Sequence, residues 1–148
     1  MGLQRSTVGL MIYAALAGVS AVALSAFAAH GLEKVAPTGA QGVAWFVQAT
    51  DFQMNHTLAI MLLALLTDRF VEGLSRKLLL ASAVLMAIGI ILFAGSLYSL
   101  SFNGPGALAP LGGFSSMTGW IIMGVGGIVG LKRGEIGTGY RTQPQAAE

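Results

Sequence analysis

The chain has 148 residues, 55% of them hydrophobic and 9% charged, with a formal net charge of +2 and no cysteine. A soluble domain carries about 25% charged residues, so this composition cannot cover a water-facing surface and lipid is the natural solvent. A small net charge without a basic, aromatic-interleaved stripe excludes nucleic acid as a partner, and the missing cysteines exclude disulfides and thiol nucleophiles.

Met1 to Thr7 is a short polar start containing Arg5. Val8 to Ala29 carries no charge, and at ~1.5 Å per residue it spans ~33 Å, enough for a bilayer core. Ala17, Ala21, Ser25 and Ala29 recur at helical spacing, with Ala14 and Gly18 beside them. Such a row lets two helices approach closely in lipid. Arg5, the apolar run and Ala26-Phe27-Ala28 also fit a secretory signal with an A-x-A cleavage site. The run is long for such a signal, and left uncut it gives an even number of spans, so it is read as span one, roughly 8–29.

His30 to Thr38 leaves the membrane through Gly31, Glu33-Lys34 and Pro37. Between Gly39 and Asp51, Gln41, Gln48, Asp51 and the following Asn55 fall near one helical face at spacings of seven, three and four. This predicts an amphipathic interfacial helix feeding span two, as a separate piece or running continuously into it, with Trp45 and Phe46 at headgroup level. Span two is expected over 52–66. Its apolar part is short, so its first turns must be buried in protein or face a wet cavity. Thr67 to Lys77 is a charged connector. Span three is expected over 78–100 and ends in Gly95-Ser96-Leu97-Tyr98. Asn103-Gly104-Pro105-Gly106 breaks the chain before span four, 108–131. That span is glycine-rich and holds a Gly126–Gly130 GxxxG pair, which supports close packing. Residues 132–148 read as a mobile polar tail.

The expected fold is therefore all-α: one membrane domain over 1–148, a four-helix bundle with the interfacial helix added. Arg5, Arg69, Arg76, Lys77, Lys132, Arg133 and Arg141 would lie on one side and only Lys34 on the other. The positive-inside rule then puts both termini in the cytoplasm.

Antiparallel spans should bring His30, Gln53, Asn55, His56, Ser96 and Tyr98 to one level near the non-cytoplasmic surface. Polar groups in hydrocarbon are costly unless satisfied, so this cluster is the candidate ligand site. His30 and His56 on separate helices would suit axial haem or metal ligation. No further His, Cys or carboxylate pair completes a metal set, and interhelical hydrogen bonding is the plainer role. Asp51 lies about a turn before His56, but no nucleophile makes them a triad. Ser96 lacks a nucleophile elbow, and no Walker loop or dinucleotide fingerprint is present. No catalytic residue and no cofactor are expected.

The segments Ala28-Ala29-His30-Gly31-Leu32, Phe52-Gln53-Met54-Asn55-His56, Phe93-Ala94-Gly95-Ser96-Leu97-Tyr98 and Pro110-Leu111-Gly112-Gly113 with Gly119-Trp120 occur in that order. On these, the chain over roughly 10–131 resembles the small four-span membrane family called domain of unknown function 423, to which small eukaryotic transmembrane proteins are related. The resemblance implies a four-helix membrane protein, in bacteria usually of the inner membrane, and implies no activity. The low charge of the first linker and the long tail depart from that pattern. Together these features favour a non-enzymatic binding or accessory component, in contact with lipid and with a second copy or another membrane protein. The rival is an oligomeric channel or transporter for a small solute or protons, although the first, third and fourth spans hold no charge.

Overall fold

The computed structural model describes residues 3–69 and 71–136. Its elements are α1 (Arg5–His30), α2 (Leu32–Val35), α3 (Gly39–Arg69), α4 (Gly73–Gly89), a π-helical turn (Ile90–Ala94), α5 (Gly95–Ser101) and α6 (Ala109–Arg133). Runs of Ala, Leu, Ile and Val favour helix, and in lipid a helix satisfies its own backbone. Gly73–Ser101 reads as one rod with a wider turn inside it. That rod, α1 and α6 are long and apolar enough to cross a membrane. The 31-residue α3 falls outside that set, because Gln41, Gln48, Asp51, Gln53, Asn55 and His56 dilute its first half.

Pairwise contacts fix the register. Along α1 and α3, Thr7 meets Asp68, Ala17 and Ser20 meet Gln53, and Phe27 meets Phe46. Along α3 and α5, Ser101 donates to the Gly42 carbonyl and Tyr98 to Gln53. Along α4 and α6, Ser82 donates to Gly119 O and Ser115 to Leu85 O. Each pair is therefore antiparallel. The two tight pairs, α1 with α3 and α4 with α6, join where α3 meets the Gly73–Ser101 rod. A core of Ala14, Ile60, Leu63, Leu79, Ala83, Met86 and Ile90 fills the junction.

The stretch 39–51 is not a separate interfacial helix. It forms the first turns of α3, continuous with the expected second span. Its amphipathic reading holds locally: Gln41, Gln48, Asp51 and Asn55 are exposed, while Phe46, Ala49 and Thr50 are buried. Phe46 packs edge-on against Phe27, Tyr98 and Phe102.

The small residues of α6 form its buried stripe: Gly112, Ser116, Gly119, Gly126 and Gly130. A Cβ on Gly112 would lie 2.3 Å from the Phe93 backbone nitrogen, and one on Gly126 would lie 2.9 Å from Leu79. The GxxxG pair thus faces α4 and Ile136 of the same molecule. On α1, Ala14 and Ala21 are buried and Ala17 half-buried, while Ser25 is exposed, so Ser25 drops out of the packing row.

At the end holding Gln4 and Glu135, carboxylates from elsewhere cap two helix starts. Asp68 accepts from the Gln4 backbone N–H (3.1 Å) and the Thr7 hydroxyl (3.0 Å). Glu135 accepts from the Ser75 N–H (2.8 Å), and its backbone carbonyl accepts from Glu72 N–H. Negative charge at a helix N-terminus complements the exposed N–H groups and the dipole. Val71 pairs with Ile136 in an isolated bridge. The tail expected from residue 132 is thus tied down through Ile136; residues 137–148 lie outside the described chain.

Two outcomes follow from this packing. Gly112→Ala should lower stability by about 1–3 kcal/mol, because the added methyl meets backbone that cannot give way. Gly127→Ala, where a Cβ meets nothing within 4 Å, should be neutral or up to about 1 kcal/mol stabilising; unfolding in mixed micelles measures both. The Ser75 N–H holds the Glu135 carboxyl below its ordinary value of 4.5. Its contribution to stability is therefore complete above that value and is lost as pH falls through the depressed one. A melting-temperature series through acid should show this limb, and Glu135→Gln should remove it.

Candidate functional site

The expected six-residue cluster divides into separate environments. Gln53 and Tyr98 meet. The Gln53 amide nitrogen donates to Ala17 O and to Ser20 Oγ, both at 2.7 Å, and its Oε1 accepts from the Tyr98 hydroxyl at 2.9 Å. Ser20 in turn donates to Ala17 O. A buried glutamine in the middle of three helices therefore has both N–H groups and its oxygen in use. Ser20 escaped the sequence reading because a lone serine in an apolar run carries no pattern. Only the register, which puts Ala17 and Ser20 opposite Gln53, identifies it.

His56 belongs to a second environment. Trp120 Nε1–H can only donate, so His56 Nε2 (3.2 Å) must accept. The ring proton is then on Nδ1, which donates to Phe52 O at 2.9 Å. The neutral imidazole stacks on Phe52 at 4.0 Å between centroids, and Phe52 lies against Phe93 at 4.4 Å. Phe52, His56, Pro110, Gly113, Met117 and Trp120 line an apolar lateral groove of about 470 Å³. Ser116 Oγ beside it is buried without a hydrogen-bond partner and rests against Gly89. Ligation through the His56 Nε2 lone pair would require breaking the indole bond.

His30 joins neither environment. It is exposed at the end of α1 and lines a recess of about 490 Å³ with Glu33, Lys34, Gly39 and Ala40. His56 lies 17 residues beyond Gly39 in α3, ~25 Å along the helix axis. The two histidines therefore cannot serve as paired axial ligands within one chain. No group of three or more His, Asp or Glu able to hold a metal occurs among the described residues. Asn55 is exposed and Ser96 is buried, and neither joins the Gln53 network. The single level expected for all six fails because α3 begins at Gly39 rather than near residue 52. Gln53 and His56 are consequently carried deep into the bundle while His30 stays at its rim.

Chemically, this interior offers closed hydrogen bonds and stacked rings. Among the described residues it shows no nucleophile poised on a base and no donor pair for an oxyanion. Replacing Gln53 by Leu should cost about 1–2 kcal/mol, since the Tyr98 hydroxyl loses its acceptor and Ser20 Oγ and Ala17 O keep only their bond to each other. Tyr98→Phe should cost about 0.6 kcal/mol, and the double variant less than the sum. Detergent unfolding followed by circular dichroism tests the cycle; strict additivity would separate Tyr98 from Gln53.

Residues 24–113 match the family model described as a protein of unknown function (DUF423). The UPF0382 inner membrane protein YgdD of Escherichia coli K12 is 38% identical over 122 residues, 80% of this chain and 88% of that protein. The UPF0382 membrane protein of Haemophilus influenzae is 37% identical over 115 residues, 76% of this chain and 87% of its own length. The UPF0382 membrane protein YwdK of Bacillus subtilis is 36% identical over 121 residues, with 80% and 94% covered. No solved structure matches the chain.

Proposed function

The chain belongs to the DUF423 family, whose relatives are UPF0382 membrane proteins, and from that premise we propose that it is a non-enzymatic binding or accessory component of the bacterial inner membrane. Its four spans are α1, α3, the Gly73–Ser101 rod and α6, with both termini cytoplasmic. It works through its outer helix faces, against a second copy or another membrane protein, and carries no cofactor.

One observation carries this reading: the two large polar side chains of the interior, Gln53 and His56, are engaged within the bundle, while the small hydroxyls of Thr57 and Ser116 are buried without a partner among the described residues. Gln53 uses both ends of its amide, and His56 uses both ring nitrogens. A catalyst or a conduction path needs polar groups left available to substrate, ion or water. Among the described residues, charged and amide groups are left available on the outer face of α3. The name of the E. coli relative supports the inner membrane as the location. The charge asymmetry between the Thr67–Lys77 connector and the Lys34 side supports the orientation.

Native mass spectrometry of the protein released gently from its own membranes tests the proposal. The expected result is a reproducible complex, with a second copy or a different membrane protein. A bare monomer would overturn it. Proton or solute flux in proteoliposomes that His56→Ala abolishes would replace it with transport.

A further inference from the structure

The outer face of α3 carries a continuous exposed line: Gln41, Gln48, Asp51, Asn55, Leu58 and Leu62. From Gln48 onward the spacing alternates three and four, the seam of a helix that pairs with another helix. None of its four polar side chains makes a hydrogen bond among the described residues.

The depth of this line sets the problem. Gln53 bonds to Ala17 and Ser20, the middle of the Arg5–His30 helix, which is long and apolar enough to cross a membrane. Asp51 is two residues from Gln53 and faces outward, as does Asn55. An exposed carboxylate and amides are thus held near the midplane of the hydrocarbon, where groups of this kind are costly and normally face protein or water. Among the described residues nothing covers them.

We infer that a second copy of this chain covers them, through parallel pairing of α3 with α3 about a two-fold axis along the membrane normal. The argument for a like partner is self-complementarity. Gln41, Gln48 and Asn55 recur at intervals of seven, and each carries both donors and an acceptor. In a parallel pair, each amide layer meets its own counterpart and closes hydrogen bonds across the seam. Asp51 forms its own layer between those of Gln48 and Asn55, where the two carboxylates approach each other and the partner's amide N–H groups on either side offset their repulsion. Leu58 and Leu62 continue the same seam toward the other end of the helix. In membranes, this combination of interfacial amides and packed leucines holds helices together and fixes their register.

The inference rests on α3 crossing the membrane, part of the reading above. The absence of cysteine makes the test direct. Asn55→Cys, Leu58→Cys and Leu62→Cys, each alone, are oxidised in native membranes. Val19→Cys on α1 and Ile121→Cys on α6, equally lipid-facing at 71% and 67% exposure, are the controls. Cross-linking at the α3 positions to twice the 15.2 kDa chain mass, with none at the controls, is the expected result. Gln48→Ala with Asn55→Ala, introduced into Leu62→Cys, should reduce the cross-linked fraction by about tenfold. Asp51→Asn should retain or increase it, because like charges no longer approach across the axis.

Equal cross-linking at every position, or none at α3, would overturn the pairing. An α3 product of a different mass would assign the face to another protein, as would loss of the complex in Asp51→Asn. The same variants report the premise separately. Leu58→Cys and Leu62→Cys should resist a membrane-impermeant maleimide whenever α3 crosses the bilayer, cross-linked or not; rapid labelling would remove the span rather than the dimer alone.

Discussion

An amide placed in hydrocarbon has no water to fall back on, and the geometry of this molecule follows from how Gln53 is satisfied. Two N–H groups reach α1 and one oxygen receives Tyr98 from α5. Those three bonds fix the rotation of α3 about its own axis, its sliding position against α1, and its approach to the Gly73–Ser101 rod. Once Gln53 faces inward, helical geometry decides the rest. Phe46, Ala49, Thr50, Ile60 and Ala64 share its buried side, and Gln48, Asp51 and Asn55 are turned outward. A leucine at 53 would leave rotation to packing alone, and apolar side chains in apolar lipid discriminate poorly between faces.

The other half of the molecule reaches the same definition by a different route. Along α4 and α6, shape rather than hydrogen bonding sets the register. Glycines at 112, 119 and 126 let α6 press its backbone onto the rod, Gly130 faces Ile136 and Ser75, and a Cβ added at any of the four would lie within 3.0 Å of a neighbouring atom. The π-helical turn at Ile90–Ala94 lies where Gly112 comes against Phe93. A turn with one extra residue widens the helix, and only a partner without a side chain fits beside it. Ser82 and Ser115 then add hydrogen bonds to carbonyls across the gap.

How much of this was legible depends on whether the signal is local. The uncharged runs announced their helices, because length and absence of charge are sufficient in lipid. The exposed polar face of Gln41, Gln48, Asp51 and Asn55 was also legible, since spacing alone defines a face. What was not legible is where a helix starts when its first turns are only half apolar. Reading α3 from residue 52 instead of 39 put Gln53 and His56 at the rim, level with His30, when they belong deep inside. The Trp120–His56 bond was invisible for a related reason: it joins residues 64 apart in sequence, and only the register of three helices makes them neighbours. The capping by Asp68 and Glu135 was hidden in the same way, since each acts on a helix start more than 50 residues distant.

The contrast between inside and outside bears on what such a protein is for. A polar residue in a membrane helix is tolerated when it is satisfied, and the interior here achieves this with Gln53, Tyr98, Ser20, His56 and Trp120. If polar residues served only to hold this chain together, the outer face of α3 would be apolar like those of α1 and α6, where Val19 and Ile121 look outward. Instead Gln48, Asp51 and Asn55 occupy that face at the same depth as the closed network behind them. Lipid cannot satisfy those groups, and α1, packed on a different side of α3, does not reach them. With α3 taken as a span, as proposed, the described residues taken singly leave one helix face open, and the groups there are those that make strong contacts between helices in a bilayer.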